Sequence, residues 1–202
     1  MPSLLLNSLL FFLRFFDNSS FQHEEEIYQK IKPTFETVKY KASIDVVGKH
    51  LSGILIFKTQ EDSSIRSVFV NEMGITFFDI TFSKDNYVFH SIMESMDKKA
   101  VKITLAKDLG MILMKGIFIK NPIEQIPNIH ILQLKLKRKG IVQYHFEDST
   151  NHINTIQNFG KRKKVVEINQ YYSTKNTMPD SIFVHHQTVN FTISLKQLYA
   201  TE

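Results

Sequence analysis

From Val38 to Val47 the chain alternates. Tyr40, Ala42, Ile44 and Val46 fall on one side of an extended backbone, and Lys39, Lys41, Ser43 and Asp45 on the other, which is the period of a half-buried strand. Four more strand-like runs follow at Ser52–Gln60, Ser64–Asn71, Ile75–Phe82 and Tyr87–Ile92, separated by Gly48, Glu61-Asp62-Ser63, Gly74 and Ser83-Lys84-Asp85-Asn86. Such short separations allow only antiparallel hairpins, because a parallel return needs a crossover of about a dozen residues. The segment therefore reads as a meander. Two of its runs, Ile54–Phe57 and Ile75–Phe82, are apolar on both faces, whereas a half-solvated sheet alternates. Either both faces are covered or one lines a cavity.

The period then changes. In Asp97–Leu109, Ala100, Val101, Leu105 and Leu109 recur at helical spacing, with Asp97 as the expected N-cap and Gly110 as the expected stop. Met111–Lys120 fits a helix continuation or a strand. After Pro122 and Pro127 the strand pattern resumes at Ile129–Lys137 and Ile141–Glu147. A polar loop is expected over Asp148–Gly160, followed by strands at Lys164–Tyr172, Ser181–Thr188 and Phe191–Leu198. Upstream, residues 23–38 suggest a short exposed helix that Pro33 interrupts. Leu4–Phe16 is nearly all apolar, too short for the roughly 20 residues of a membrane span but the length of a secretory leader core. Residues 1–20 are thus read as an export leader or an apolar N-terminal helix, and residues 21–202 as a single β-domain. The fold class is α+β, a large curved antiparallel sheet with a few helices packed on or in its concave side.

Composition narrows this a little. A hydrophobic share of 43% supports a core, and 17 Phe against 7 Gly, 5 Pro and no Trp favour packed strands over linkers. The net charge of +5 is mild, and no specific nucleic-acid partner is expected from it. With no cysteine, the chain has no disulfide, thiolate metal site, cysteine nucleophile or lipid-modified cysteine.

No motif names a reaction. His185 and His186 are adjacent, so on a strand they point to opposite faces and do not share a metal. His130, His145 and His152 lack ligand spacing, and no HExxH, GxSxG or Gly-rich phosphate loop occurs. Asp79, inside an apolar run, would be a perturbed acid if buried alone, but alternation also turns it to solvent. No catalytic residue, metal or cofactor is expected. A cleft joining His145, His185 or Asp79 is the arrangement that would argue otherwise. Two basic clusters, Lys135, Lys137, Arg138 and Lys139 and then Lys161, Arg162, Lys163 and Lys164, fall at expected hairpin ends. They suit an anionic membrane surface, or simply a solvated turn that blunts strand edges. The apolar side chains Phe57, Phe69, Phe77, Phe78, Phe82 and Phe89, with Met96 and Leu105 from the helical part, are the cavity candidates. Ordinary core packing is their other reading.

The order of these elements resembles the outer-membrane lipoprotein localisation family, the periplasmic lipoprotein carrier and its outer-membrane receptor. The residues that carry the resemblance are Tyr40–Val46, the meander Gly53–Phe82, the helix-like Asp97–Leu109, and the closing pair Pro179-Asp180-Ser181-Ile182-Phe183 and Phe191–Leu198. It implies an unclosed β-barrel with helices at its concave side. It also implies non-catalytic binding or transport of a lipid or lipoprotein acyl chain at the cell envelope, in the periplasm. The receptor branch's acylated cysteine is missing, and the carrier branch's functional arginine is not placed; Arg66 lies on a strand. A second reading is a structural or protein-binding envelope module that uses a sheet edge and the basic rim. Without a leader the chain would be cytoplasmic.

Overall fold

The computed structural model describes residues 26–46, 48–116, 124–125, 131–135, 140–147, 149–161, 163–173 and 177–199. Within them the first meander forms as β1 (Thr37–Val46), β2 (Lys49–Thr59), β3 (Ile65–Val70), β4 (Thr76–Phe82) and β5 (Tyr87–Ile92). A short helix, α1, covers residues 26–31 ahead of it. A 3-10 turn at Glu94–Met96 leads into α2 (Lys99–Leu113). The second half contributes β6 (Glu124–Gln125), β7 (Ile131–Lys135), β8 (Ile141–Phe146), β9 (Ile153–Phe159), β10 (Lys164–Tyr171), β11 (Ser181–His186) and β12 (Phe191–Leu198).

All twelve strands belong to one antiparallel sheet, in the order β5-β4-β3-β2-β1-β12-β11-β10-β9-β8-β7-β6. The two meanders join where β12 returns to β1, with Ile44 opposite Ile193 and Ala42 opposite Leu195. The chain therefore leaves one edge of the sheet at β5 and re-enters at the far edge at β6. The helix α2 lies on that route. The sheet is unclosed and curls around α2, as the expected fold class requires.

Alternation sets which face is inside. In β1, Val38, Tyr40, Ala42, Ile44 and Val46 are buried while Lys39 and Lys41 are exposed. Inward residues of β1–β4 and of β8–β12 join the α2 side chains in one apolar core. Fully burying a Leu, Ile or Phe side chain contributes roughly 1.5–3 kcal/mol.

The doubly apolar runs resolve in two ways. In β2, Leu55 and Phe57 enter the core and Ile54 and Ile56 face outward, half-buried. In β4 a bulge intervenes. Phe69 opposes Phe78 and Val70 opposes Thr76, so Phe77 is the extra residue. A bulge re-aims its side chain, and the Phe77 ring comes to rest 4.8 Å from that of Phe69.

Some expectations need correction. The helix begins two residues later than Asp97 and runs through Gly110 to Leu113, with Met114 taking the left-handed cap. Gly110 costs the helix only about 1 kcal/mol, and tertiary burial of Met111, Ile112 and Leu113 outweighs that. The polar loop expected over Asp148–Gly160 contains strand β9. Thr155 and Gln157 sit on the outer face while Ile153, Ile156 and the buried Asn158 turn inward, and a bulge at Asn154 shifts the alternation that would have disclosed it. Helix α1 is not wholly exposed, since Ile27 and Ile31 are buried; it ends just before Pro33. Residues 1–25, with the expected leader, lie outside the described residues.

Candidate functional site

The concave face of the sheet is occupied by α2. Its residues Val101, Leu105, Ala106, Leu109, Met111, Ile112 and Leu113 are all buried. Lys99, Ala100 and Ile103 are exposed, whereas every residue from Asp108 to Leu113 is buried, so the helix starts at the surface and ends in the core. It shares one apolar cluster with Phe69, Phe78, Ile80 and Phe82 of one arm of the sheet and with Tyr144, Ile156, Ile168 and Val184 of the other.

Polar contacts fix where this helix sits. Asp108 faces β11, where His186 Nε2 lies 2.7 Å from Asp108 Oδ2 and both side chains are buried. Burial pushes the Asp108 carboxyl above its ordinary range, opposed by the His186 hydrogen bond and charge and then by Lys107. The other oxygen, Asp108 Oδ1, has no hydrogen-bond partner among the described residues. One residue earlier, Lys107 Nζ donates to Asn158 Oδ1 of β9 at 2.6 Å, and burial holds its ammonium below the usual lysine range. Tyr144 Oη donates to the Met111 carbonyl at 3.1 Å, and burial raises that phenol. Tyr28 of α1 donates to the Met114 carbonyl at 2.9 Å.

The end of α2 is pinned to the opposite arm. Gly116 N donates to the Ser83 carbonyl at 2.8 Å, and Lys115 Nζ to the Ser63 carbonyl at 2.6 Å. Gly116 has φ of 66° and a Cβ there would stand 2.9 Å from Phe82 Cδ1, so glycine is required both for the turn and for the close approach.

The cavity candidates are gathered by this arrangement. Phe57, Phe69, Phe78, Phe82, Met96 and Leu105 are all buried in the cluster around α2, Phe77 joins through its bulge, and Phe89 packs against the cluster partly exposed. The basic candidates are only partly on view. Lys137, Arg138, Lys139 and Arg162 lie outside the described residues. Lys161 and Lys163 are exposed in the β9–β10 turn, while Lys164 pairs with Glu167 within β10. The β7–β8 and β9–β10 connections do fall at the same end of the sheet, since Ile141 opposes both Lys135 and Phe159 and Phe159 opposes Lys164.

The histidines and Asp79 are not brought together. Asp79 is on the outer face of β4, clasped by Arg66 through Nε at 3.0 Å and Nη2 at 2.5 Å. His185 is outward and stacks on Phe183. His145 is on β8, where burial lowers its pKa. The Asp108–His186 pair, separated by 78 residues in sequence, was not legible there. A hint existed, because Asp108 follows a helical apolar face with no capping role. An open groove of about 540 Å³ lies over β7–β10, lined by Ile131, His145, Thr155, Asn169 and Tyr171 among others. It is on the outer side of the sheet, away from α2. Among the described residues there is no cluster of three metal-ligating side chains, and no helix is long and apolar enough to cross a membrane.

This geometry defines a class: an unclosed antiparallel half-barrel with a helix inserted in its concavity. Solved structures are similar to this chain to differing degrees. A DUF1329-family protein of Desulfovibrio piger matches with a TM-score of 0.52 at 11% identity, over 90% of each chain. A LolA-superfamily protein of Nitrosomonas europaea matches with a TM-score of 0.47 at 8% identity, over 89% of this chain and 92% of that one. A domain from Vibrio parahaemolyticus assigned provisionally to outer-membrane lipoprotein sorting matches at 0.49 and 6%, over 86% and 89%. At these identities the likeness is one of fold. No family model and no curated sequence matches the chain.

Proposed function

We propose that residues 21–202 form one carrier-like β-domain that binds an apolar ligand, a lipid or the acyl chain of a lipoprotein, without catalysis, at the cell envelope. The observation that carries this reading is the insertion of α2, with Val101, Leu105, Leu109, Ile112 and Leu113 buried, between two arms of an open sheet. Such an interior is a space that an alkyl chain could share once the helix shifts. Met96, Met111 and Met114 line it, and the unbranched, polarizable methionine side chain repacks easily around irregular guests. Each buried CH₂ of a guest would contribute about 0.8 kcal/mol. The contacts that hold α2, from Asp108, Lys107 and the carbonyls of Met111 and Met114, would then decide how readily the interior opens.

The aromatic and aliphatic side chains Phe57, Phe69, Phe77, Phe78, Phe82, Phe89, Met96 and Leu105 form the proposed binding wall. The turn lysines Lys161 and Lys163, with Lys164 and the basic residues at 137–139 and 162, form the proposed contact to an anionic surface. Displacement of a fluorescent fatty acid, read together with native mass spectrometry of the purified chain, tests the binding reading. Saturable binding with one guest per chain supports it. Absence of any bound apolar guest in both measurements overturns it and leaves the protein-binding module as the better account.

A further inference from the structure

We propose that the outer face of the sheet along its midline, over β12, β1 and β2, docks on the surface of an anionic lipid bilayer. The strand register assembles the surface. Lys41 stands directly opposite Lys196, and Lys39 opposite Leu198. Lys58 of β2 opposes Thr37, one strand over from the pair, and Ile54 and Ile56 oppose Lys41 and Lys39. All four lysines are exposed, and none is bonded to a carboxylate among the described residues. The neighbouring Asp79 is already taken by Arg66, and Asp45 by His50 and Thr192.

Two features argue that this is more than a solvated face. Like charges directly opposite across a strand pair destabilise a sheet, so the Lys41–Lys196 pair is a cost with no internal compensation. Beside the lysines, Ile54 and Ile56 of β2 and Val68 and Val70 of β3 are half-buried with no layer of described residues over them, and Leu198 is exposed. Lysine stems and aliphatic side chains side by side suit a headgroup layer, where the ammonium meets phosphate and the stem meets the upper acyl region. The position also favours a plane over a peptide. β12, β1 and β2 lie near the middle of the sheet order, each paired on both sides, at the crest of its convex side, where a flat surface makes contact and where the described residues leave no free strand edge to hold a chain.

This surface faces away from the interior proposed for the ligand, so it stands or falls independently of that reading. The test is co-sedimentation of the full chain with phosphatidylcholine vesicles with and without phosphatidylglycerol, at low and high salt. Binding only to the anionic vesicles, lost at high salt, is expected. The triple variant Lys39→Ser, Lys41→Ser, Lys196→Ser should weaken partitioning by about 100-fold, on the scale of about fivefold per lysine near a charged bilayer. It should melt no lower than the parent, since the opposed pair is gone.

The variant Lys84→Ser, Lys99→Ser, at two exposed lysines outside both proposed surfaces, serves as comparison and should retain most of the binding. Loss confined to that comparison variant, or unchanged binding in the triple variant, overturns the proposal. So does a parent chain that ignores anionic vesicles. If that parent sediments instead with poly-glutamate beads, the lysines belong to an acidic polypeptide partner.

Discussion

His186 Nε2 stands 2.7 Å from Asp108 Oδ2 with both side chains closed off from solvent, so the helix that fills the sheet is joined to β11 by a buried acid–imidazole pair. Taking such groups out of water is expensive, and their attraction offsets that cost only while both are present. Asp108→Ala or His186→Ala should therefore destabilise by about 3–5 kcal/mol. The double variant Asp108→Leu, His186→Leu should recover most of that loss. Urea midpoints for the four chains measure it; equal losses in the single and double variants would rule the coupling out.

Leu105 bears on both core stability and ligand affinity. It is fully buried on α2, and Leu105→Ala should cost about 2–5 kcal/mol. Leu105 also belongs to the proposed binding wall, so the same variant should bind a fluorescent fatty acid more weakly than the parent. Tighter binding by the destabilised variant would mean that Leu105 competes with the guest for the interior.

Gly53 is a packing requirement of the first meander. A Cβ at that position would meet the Val70 carbonyl oxygen at 2.0 Å, and backbone cannot yield as a side-chain tip can. Gly53→Ala should force β2 from β3 and cost about 1–3 kcal/mol. Hydrogen exchange should quicken first in β3–β4, at the amides next to the Phe77 bulge.

Acid should weaken one outer-face contact in a defined direction. The Lys164 hydrogen bond holds the Glu167 carboxyl below its ordinary value, against a smaller opposing effect of burial, with the Lys164 charge and Gln157 also lowering it. A depressed folded pKa means stability that is present above the unfolded carboxylate pKa and lost as pH falls through the folded one. Both groups are partly exposed, so the effect is at most about 1 kcal/mol. Glu167→Gln should lower the melting temperature slightly at neutral pH and not at all below the carboxylate range. A constant deficit at every pH would contradict the assignment.

Much of the architecture was readable in the chain. Tyr40, Ala42, Ile44 and Val46 announce β1 by period alone, and the short turns at Gly48 and Gly74 admit only hairpins, because local sterics and alternation are properties of neighbouring residues. β9 was hidden because Asn154 adds a residue and shifts its alternation, a change visible only against the partner strand. The gathering of Phe57, Phe69, Phe78 and Phe82 could be anticipated from their shared meander, and a helix on the concave side from the fold class, whereas whether that helix fills the concavity could not.

By itself, then, the sequence determined strands, turns, their antiparallel order and the absence of any catalytic or metal-binding pattern, since each depends on spacing along the backbone. Only the tertiary structure decided that β12 closes on β1, that α2 fills the concavity, that Asp108 finds His186, and that Lys41 and Lys196 meet on the crest. These are contacts between residues tens to more than a hundred positions apart. Their energies come from desolvation and charge across space, which depend on distance in the fold and leave no period in the chain.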